Sequence, residues 1–116
     1  TMYKNNGVYK GSRYFNKKII NDFSVRQYEK FNSDRAIGWD TPSQNGKSSA
    51  GDYFSKSTFG HLGFTGTSLW IDPENDIIVI LLTNRVYPSR ERGGMYSVRR
   101  LFHTIVMETF KNEGLI

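Results

Sequence analysis

Cysteine is missing altogether from the 116 residues, which excludes a disulfide framework, a thiol nucleophile and any cysteine-based metal site. Histidine is almost as scarce. Only His61 and His103 occur, separated by a predicted hairpin and with no converging carboxylates, so neither a metal nor another cofactor is expected. Long apolar runs are absent too: the longest, Ile77 to Leu82, is far too short to span a bilayer. The opening "TMYKNNGVYK" lacks the apolar core of a signal peptide, and no membrane span is expected in these residues. There is no internal repeat and no low-complexity tract.

A strong excess of one charge is lacking as well. Lys and Arg number 16 against 11 acidic residues, a net charge of +5. The one dense basic cluster is "RVYPSRERGGMYSVRR", Arg85 to Arg100, where Arg90, Arg92, Arg99 and Arg100 are the candidate nucleic-acid contacts. A nucleic-acid binder usually concentrates such an excess on one face or interleaves it with stacking aromatics; this cluster reads as a solvated loop and helix face, and no nucleic acid is expected as a partner.

What the chain does have is 37% hydrophobic and 15% aromatic residues, distributed along its whole length as one globular domain requires. "NNGVYKGSRYF" holds two glycine turns and is expected to end an earlier helix; a chain opening in mid-turn hints at further sequence upstream. "NKKIINDFSVRQ" opens on Asn16, a good N-cap, and spaces Ile19, Ile20 and Phe23 for a short amphipathic helix. "RAIGWD", residues 35 to 40, suits a short strand with Ile37 and Trp39 on one face. The Ser-, Gly- and Lys-rich "TPSQNGKSSAGDYFSKST" reads as a surface loop that could border a site.

Residues 66 to 82 follow as a hairpin turning at "DPEND". The apolar "DIIVILLTN" is expected to be a second strand covered on both faces. From about Glu91, residues Val98, Leu101, Phe102, Ile105 and Thr109 keep helical spacing. The chain should therefore close with an amphipathic helix laid against the sheet on that stripe, with Arg99, Arg100 and His103 elsewhere and His103 at the surface. The fold class is α+β: an antiparallel sheet packed against a C-terminal amphipathic helix.

The candidate chemistry lies in "FGHLGFTGTSLW". Gly60, Gly63 and Gly66 let the backbone approach something closely, and main-chain N–H groups on an edge strand can hold an oxyanion. His61 adds a donor or base and Thr65 a hydroxyl. The plainer alternative, also open on the residues alone, is a glycine-rich turn with His61 satisfied by a backbone carbonyl.

"GHLGFTGTSLWIDPENDIIVILLTNRVYP" closely resembles the C-terminal part of the serine β-lactamase-related family: class C β-lactamases, penicillin-binding DD-peptidases and related esterases. The resemblance extends through the final helix and more faintly to "GVYKGSRYF" and "IGWDTPS". These enzymes combine a Ser-x-x-Lys nucleophile motif, a Tyr-x-Asn type motif and a third Lys-Thr-Gly or His-x-Gly motif on the strand facing the site. By resemblance the third motif is His61-Leu62-Gly63, within a β-lactamase/transpeptidase-like fold. The backbone N–H of Phe64 would form half of the oxyanion hole, Gly63 would keep the approach open, and Thr65 and Arg92 would contribute to substrate binding, Arg92 at the substrate carboxylate.

Two departures qualify the likeness. Leu62 replaces a common threonine, removing a hydroxyl that could bond the substrate. No serine has a lysine three positions on, and "YKN" at Tyr3 to Asn5 matches Tyr-x-Asn only formally. The resemblance therefore implies the C-terminal portion, residues 1–116, of an incomplete serine hydrolase domain, inactive alone because its nucleophile half is absent. The parent would act on amide, β-lactam or ester bonds of a small acyl substrate and would be exported to the bacterial periplasm or envelope. Expected partners are the missing N-terminal portion and, through an exposed sheet edge, a second copy. The alternative is a non-catalytic, stand-alone interaction module that retains the scaffold.

Overall fold

The computed structural model describes residues 1–44, 46–91 and 93–116. The first seven residues run as successive turns into a two-stranded hairpin of β1 (Val8–Tyr9) and β2 (Ser12–Arg13). This corrects the helix end expected there. Gly7 and Gly11, at φ +85° and +80°, shape the hairpin, and a Cβ on Gly7 would sit 2.1 Å from the Phe15 carbonyl oxygen.

Helix α1 (Lys17–Ser24) forms where the N-cap predicts it. The Asn16 side chain accepts a 2.8 Å bond from the Lys18 N–H, satisfying one of the donors left free at a helix start. "RAIGWD" is a tight turn and not a strand. Gly38 takes φ +77°, the Ala36 N–H donates to the Trp39 carbonyl, the Arg35–Asp40 pair bridges across the turn, and Asp40 in turn bridges Gly60 of the main sheet. The described residues between 41 and 58 form the expected loop without regular structure, although Ala50 and Thr58 are fully buried.

Three antiparallel strands make the main sheet: β3 (Phe59–Leu62), β4 (Ser68–Asp72) and β5 (Ile77–Leu81), in the order β3-β4-β5. The register pairs Gly60 with Trp70 and Val79, and His61 with Leu69 and Ile80. Because successive side chains alternate, Gly60, Ser68, Trp70, Asp72 and Val79 share one face while Phe59, His61, Ile71, Ile78 and Ile80 share the other. Gly60 must lack a side chain here: a Cβ would lie 2.2 Å from the Leu69 carbonyl oxygen and 2.4 Å from the Trp70 indole.

Helix α2 (Met95–Asn112) and the 41–58 loop cover the Trp70 face. Phe54 packs on both Trp70 and His103, with ring centroids 6.4 and 6.0 Å apart, and Met107 is fully buried. The loop is tied to the helix by Arg100, which bonds the Asp52 carboxylate at 2.5 Å and the Gly46 carbonyl at 2.9 Å. On the opposite face Phe59 is buried beneath Tyr3 and Trp39. Beside it, Ile19, Ile20 and Phe23 of α1 line an apolar cavity of about 420 Å³ with Phe59 and Ile71.

Two expectations fail in an informative way. The buried stripe of α2 is Arg99, His103 and Met107, not Val98, Leu101 and Ile105, which are half or more exposed. His103 is therefore a core residue, its Nε2 2.8 Å from the buried Ser68 hydroxyl, while Arg99 reaches the Gly63, Gly66 and Thr67 carbonyls of the neighbouring turn. Strand β5 is likewise not covered on both faces. Ile78 and Ile80 are exposed, and no strand pairs its outer edge among the described residues.

Candidate functional site

The sequence-predicted residues collect at the end of β3 and in the turn that follows it. His61 stands on the face away from α2, exposed, and its ring bonds no group among the described residues. The alternative in which a backbone carbonyl satisfies it is not what forms. Gly63 ends the strand, donating its N–H to the Thr67 carbonyl at 2.8 Å. Its need to be glycine is internal: a Cβ would lie 2.0 Å from Thr67 Oγ1. Phe64 and Thr65 are exposed in the turn, and the Phe64 N–H donates to no group among the described residues. Arg92 lies outside the described residues.

Two arginines that the resemblance did not assign hold this turn. Arg85 donates Nε to the Phe64 carbonyl at 2.6 Å and its own N–H to the Thr65 carbonyl at 2.8 Å, while its guanidinium lies 4.6 Å from the Phe64 ring centroid. Arg90 reaches the same ring at 5.6 Å. Arg99, buried on α2, donates to three carbonyls at once: Gly63 at 2.5 Å, Thr67 at 2.9 Å and Gly66 at 3.0 Å. Burial first, and the neighbouring Arg85 charge second, pull its pKa below the ordinary value; starting so high, it remains a cation. The sequence signal for Arg99 was available only as a basic residue one position after an apolar one.

Behind the turn lies a buried polar pair. His103 Nε2 and Ser68 Oγ are 2.8 Å apart, and His103 Nδ1 has no partner among the described residues. Burial, then the charge of Arg99, lowers the His103 pKa from 6.5 to about 4, so the ring is neutral. At the far end of β4, Asp72 is buried and accepts bonds from the Ser55 hydroxyl at 2.6 Å, the Ser55 N–H at 2.9 Å and the Asn75 amide at 2.8 Å. Burial raises its carboxyl, but these bonds from Ser55 and Asn75 together outweigh burial and hold the pKa below its ordinary value. Asp72 is structural: it closes the "DPEND" turn and anchors the loop at Ser55.

The arrangement can do one chemical thing. A main-chain N–H without a partner among the described residues, on an exposed residue three positions after an exposed histidine, can stabilise a developing oxyanion, and the imidazole can exchange a proton, provided a nucleophile is brought from elsewhere. Among the described residues no group of three metal-ligating side chains occurs, and no helix is long and apolar enough to cross a membrane. A cavity of about 870 Å³, bounded by Arg26, Thr41, Ser48, Asp52 and Ser55 among others, does not include His61, Gly63 or Phe64.

Comparison with known proteins agrees with the family resemblance. The family model described as Beta-lactamase matches residues 20–103, well over half of the chain. A Salmonella gallinarum protein named "Putative D-alanyl-D-alanine carboxypeptidase" is 37% identical over 82 residues, 65% of this chain and 18% of that relative. Proteins of the same name from Salmonella enteritidis and Salmonella newport are 35% identical over 82 residues with the same coverage. The chain thus spans less than a fifth of the length of these relatives. No solved structure matches it.

Proposed function

The chain belongs to the β-lactamase family, and from that premise we propose that it is the C-terminal part of a serine hydrolase domain that works through an acyl-enzyme. The observation that carries the reading is the Phe64 N–H, unbonded among the described residues, at the end of the strand that bears an exposed His61. In this reading an upstream serine gives up its proton to a base and attacks an acyl carbonyl, and the carbonyl oxygen becomes an oxyanion that accepts from Phe64 N–H and a second donor on the upstream part; collapse of this intermediate breaks the bond to the amine or alcohol, which leaves with a proton and leaves the serine acylated. His61 donates to, or exchanges a proton with, the reacting groups. Water then releases the acyl group and restores the serine.

The relatives' printed name favours a peptide amide ending in D-alanine as the substrate, with a free carboxylate. Arg92 is the proposed contact for that carboxylate, and Thr65 a hydroxyl beside it. The family's other substrates, β-lactams and esters, share the tetrahedral oxyanion. Such a substrate places the whole product outside the bacterial cytoplasm. The unpaired outer edge of β5, flanked by exposed Ile78 and Ile80, is where upstream strands would pair; in this chain alone it would seat a second copy.

The test is the intact mass of the native gene product before and after incubation with a penicillin. A mass well above 13.4 kDa that rises by one penicillin supports the reading. A native mass equal to this chain, with no adduct, overturns it, and the scaffold would then serve as a binding module without chemistry.

A further inference from the structure

We infer that Arg99 is a positioning residue that fixes the direction of the Phe64 N–H. The inference rests on the proposed oxyanion role of that N–H, but its geometric half stands on the structure alone. A trans peptide is planar, with its C=O and N–H pointing in opposite directions. The Gly63 carbonyl and the Phe64 N–H belong to one such unit, and that carbonyl accepts from Arg99 Nη2 at 2.5 Å and from the Gly66 N–H at 3.1 Å. Pulling the oxygen towards α2 aims the N–H away from α2, to the side on which His61 stands.

The guanidinium does more than a neutral donor would. A buried cation on the oxygen draws electron density through the amide and makes its N–H a stronger donor. Because the Gly66 and Thr67 carbonyls anchor the same guanidinium, it cannot follow the Gly63 carbonyl, and rotating that peptide forfeits the bond to Arg99. Arg85 fixes the next peptide through the Phe64 carbonyl, so both units flanking Phe64 are held in place from behind. Such support lets a single exposed N–H keep its direction in an otherwise exposed turn.

The experiment compares backbone amide NMR spectra of the native gene product with those of its Arg99→Met and Arg99→Lys variants, alongside steady-state kinetics of the same proteins. In Arg99→Met the Gly63 carbonyl carbon and Phe64 amide resonances should move more than any outside the 63–67 turn, while Trp70 and Val79 amides stay in place. Arg99→Lys, which keeps the charge but loses the fork, should give a smaller shift. In the kinetics, kcat should fall about 10- to 100-fold with KM nearly unchanged, the signature of an interaction made in the transition state. An unmoved Phe64 amide in a folded variant overturns the inference whatever the activity; if Arg99→Met does not fold, Arg99→Lys decides in the same way. A shifted amide with unchanged kcat upholds Arg99 as the positioning group and overturns the oxyanion reading instead.

Discussion

Acidification should loosen this chain through one residue, His103. In the folded state its ring is fully buried with Nε2 on Ser68, Nδ1 has no acceptor among the described residues, and the Arg99 cation stands nearby. The folded pKa is about 4 against 6.5 for an ordinary histidine. Since the folded pKa is depressed, the unfolded chain binds the proton first. Stability is therefore complete above about pH 6.5 and is lost as pH falls from 6.5 towards 4. At about 1.4 kcal/mol per pKa unit the whole effect is on the order of 3 kcal/mol, a substantial share of the roughly 6–17 kcal/mol expected for a domain of this size. Urea unfolding of the chain and of His103→Gln, which keeps a donor for Ser68 but does not titrate, measures it at several pH values. The midpoint of the unaltered chain should drop steeply across that window while the variant stays nearly flat. Parallel curves for the two proteins would refute the buried, neutral His103.

Three further perturbations probe other contacts. Asp72→Asn should cost about 2 kcal/mol near neutral pH, because bonds from Ser55 and Asn75 to a charged acceptor are replaced by weaker or mismatched ones. It should also flatten the acid limb below pH 3.8, since a carboxyl with a lowered pKa stabilises above its ordinary value and loses that stability as pH falls through the folded one; urea titrations at pH 3 and pH 7 give both results. Gly60→Ala forces a Cβ to within 2.2 Å of the Leu69 carbonyl oxygen and should destabilise by about 2 kcal/mol or more in the same assay. Ile80→Lys places a charge on exposed β5 and should shift the chain from self-associated to monomeric in sedimentation velocity, with no change expected in its far-UV spectrum.

Much of the fold was legible because local rules act on neighbouring residues. Asn16 caps α1 as its side chain dictates, "DPEND" turns the hairpin, and the glycines around His61 mark the end of a strand. The candidate site was legible in its main-chain part, His61 to Thr65, because that motif is contiguous. Its supports were not, since Arg85 and Arg99 reach the turn from 21 and up to 36 residues away. Strand β5 misled for a related reason. A continuous apolar run is what burial on both faces requires, but whether a neighbour covers the run depends on elements beyond it, and here Ile78 and Ile80 remain exposed.

The face of α2 was misread because hydrophobic periodicity counts only one kind of demand. Val98, Leu101 and Ile105 form a plausible apolar stripe, and turning the helix by roughly half a turn puts Arg99, His103 and Met107 in its place. Burying a leucine-sized side chain contributes about 1.5–3 kcal/mol. Leaving a buried carbonyl unbonded costs about 1–3 kcal/mol. Of the three carbonyls that Arg99 serves, those of Gly63 and Thr67 also accept main-chain N–H groups, and that of Gly66 has Arg99 as its donor. Met107 keeps part of the apolar gain on the same stripe, whereas an apolar side chain at the position of Arg99 would leave the Gly66 carbonyl without that donor. The two magnitudes are comparable, so apolar periodicity alone does not decide which face turns inward, and the apolar stripe is left at the surface beside a sheet whose β5 edge is unpaired among the described residues.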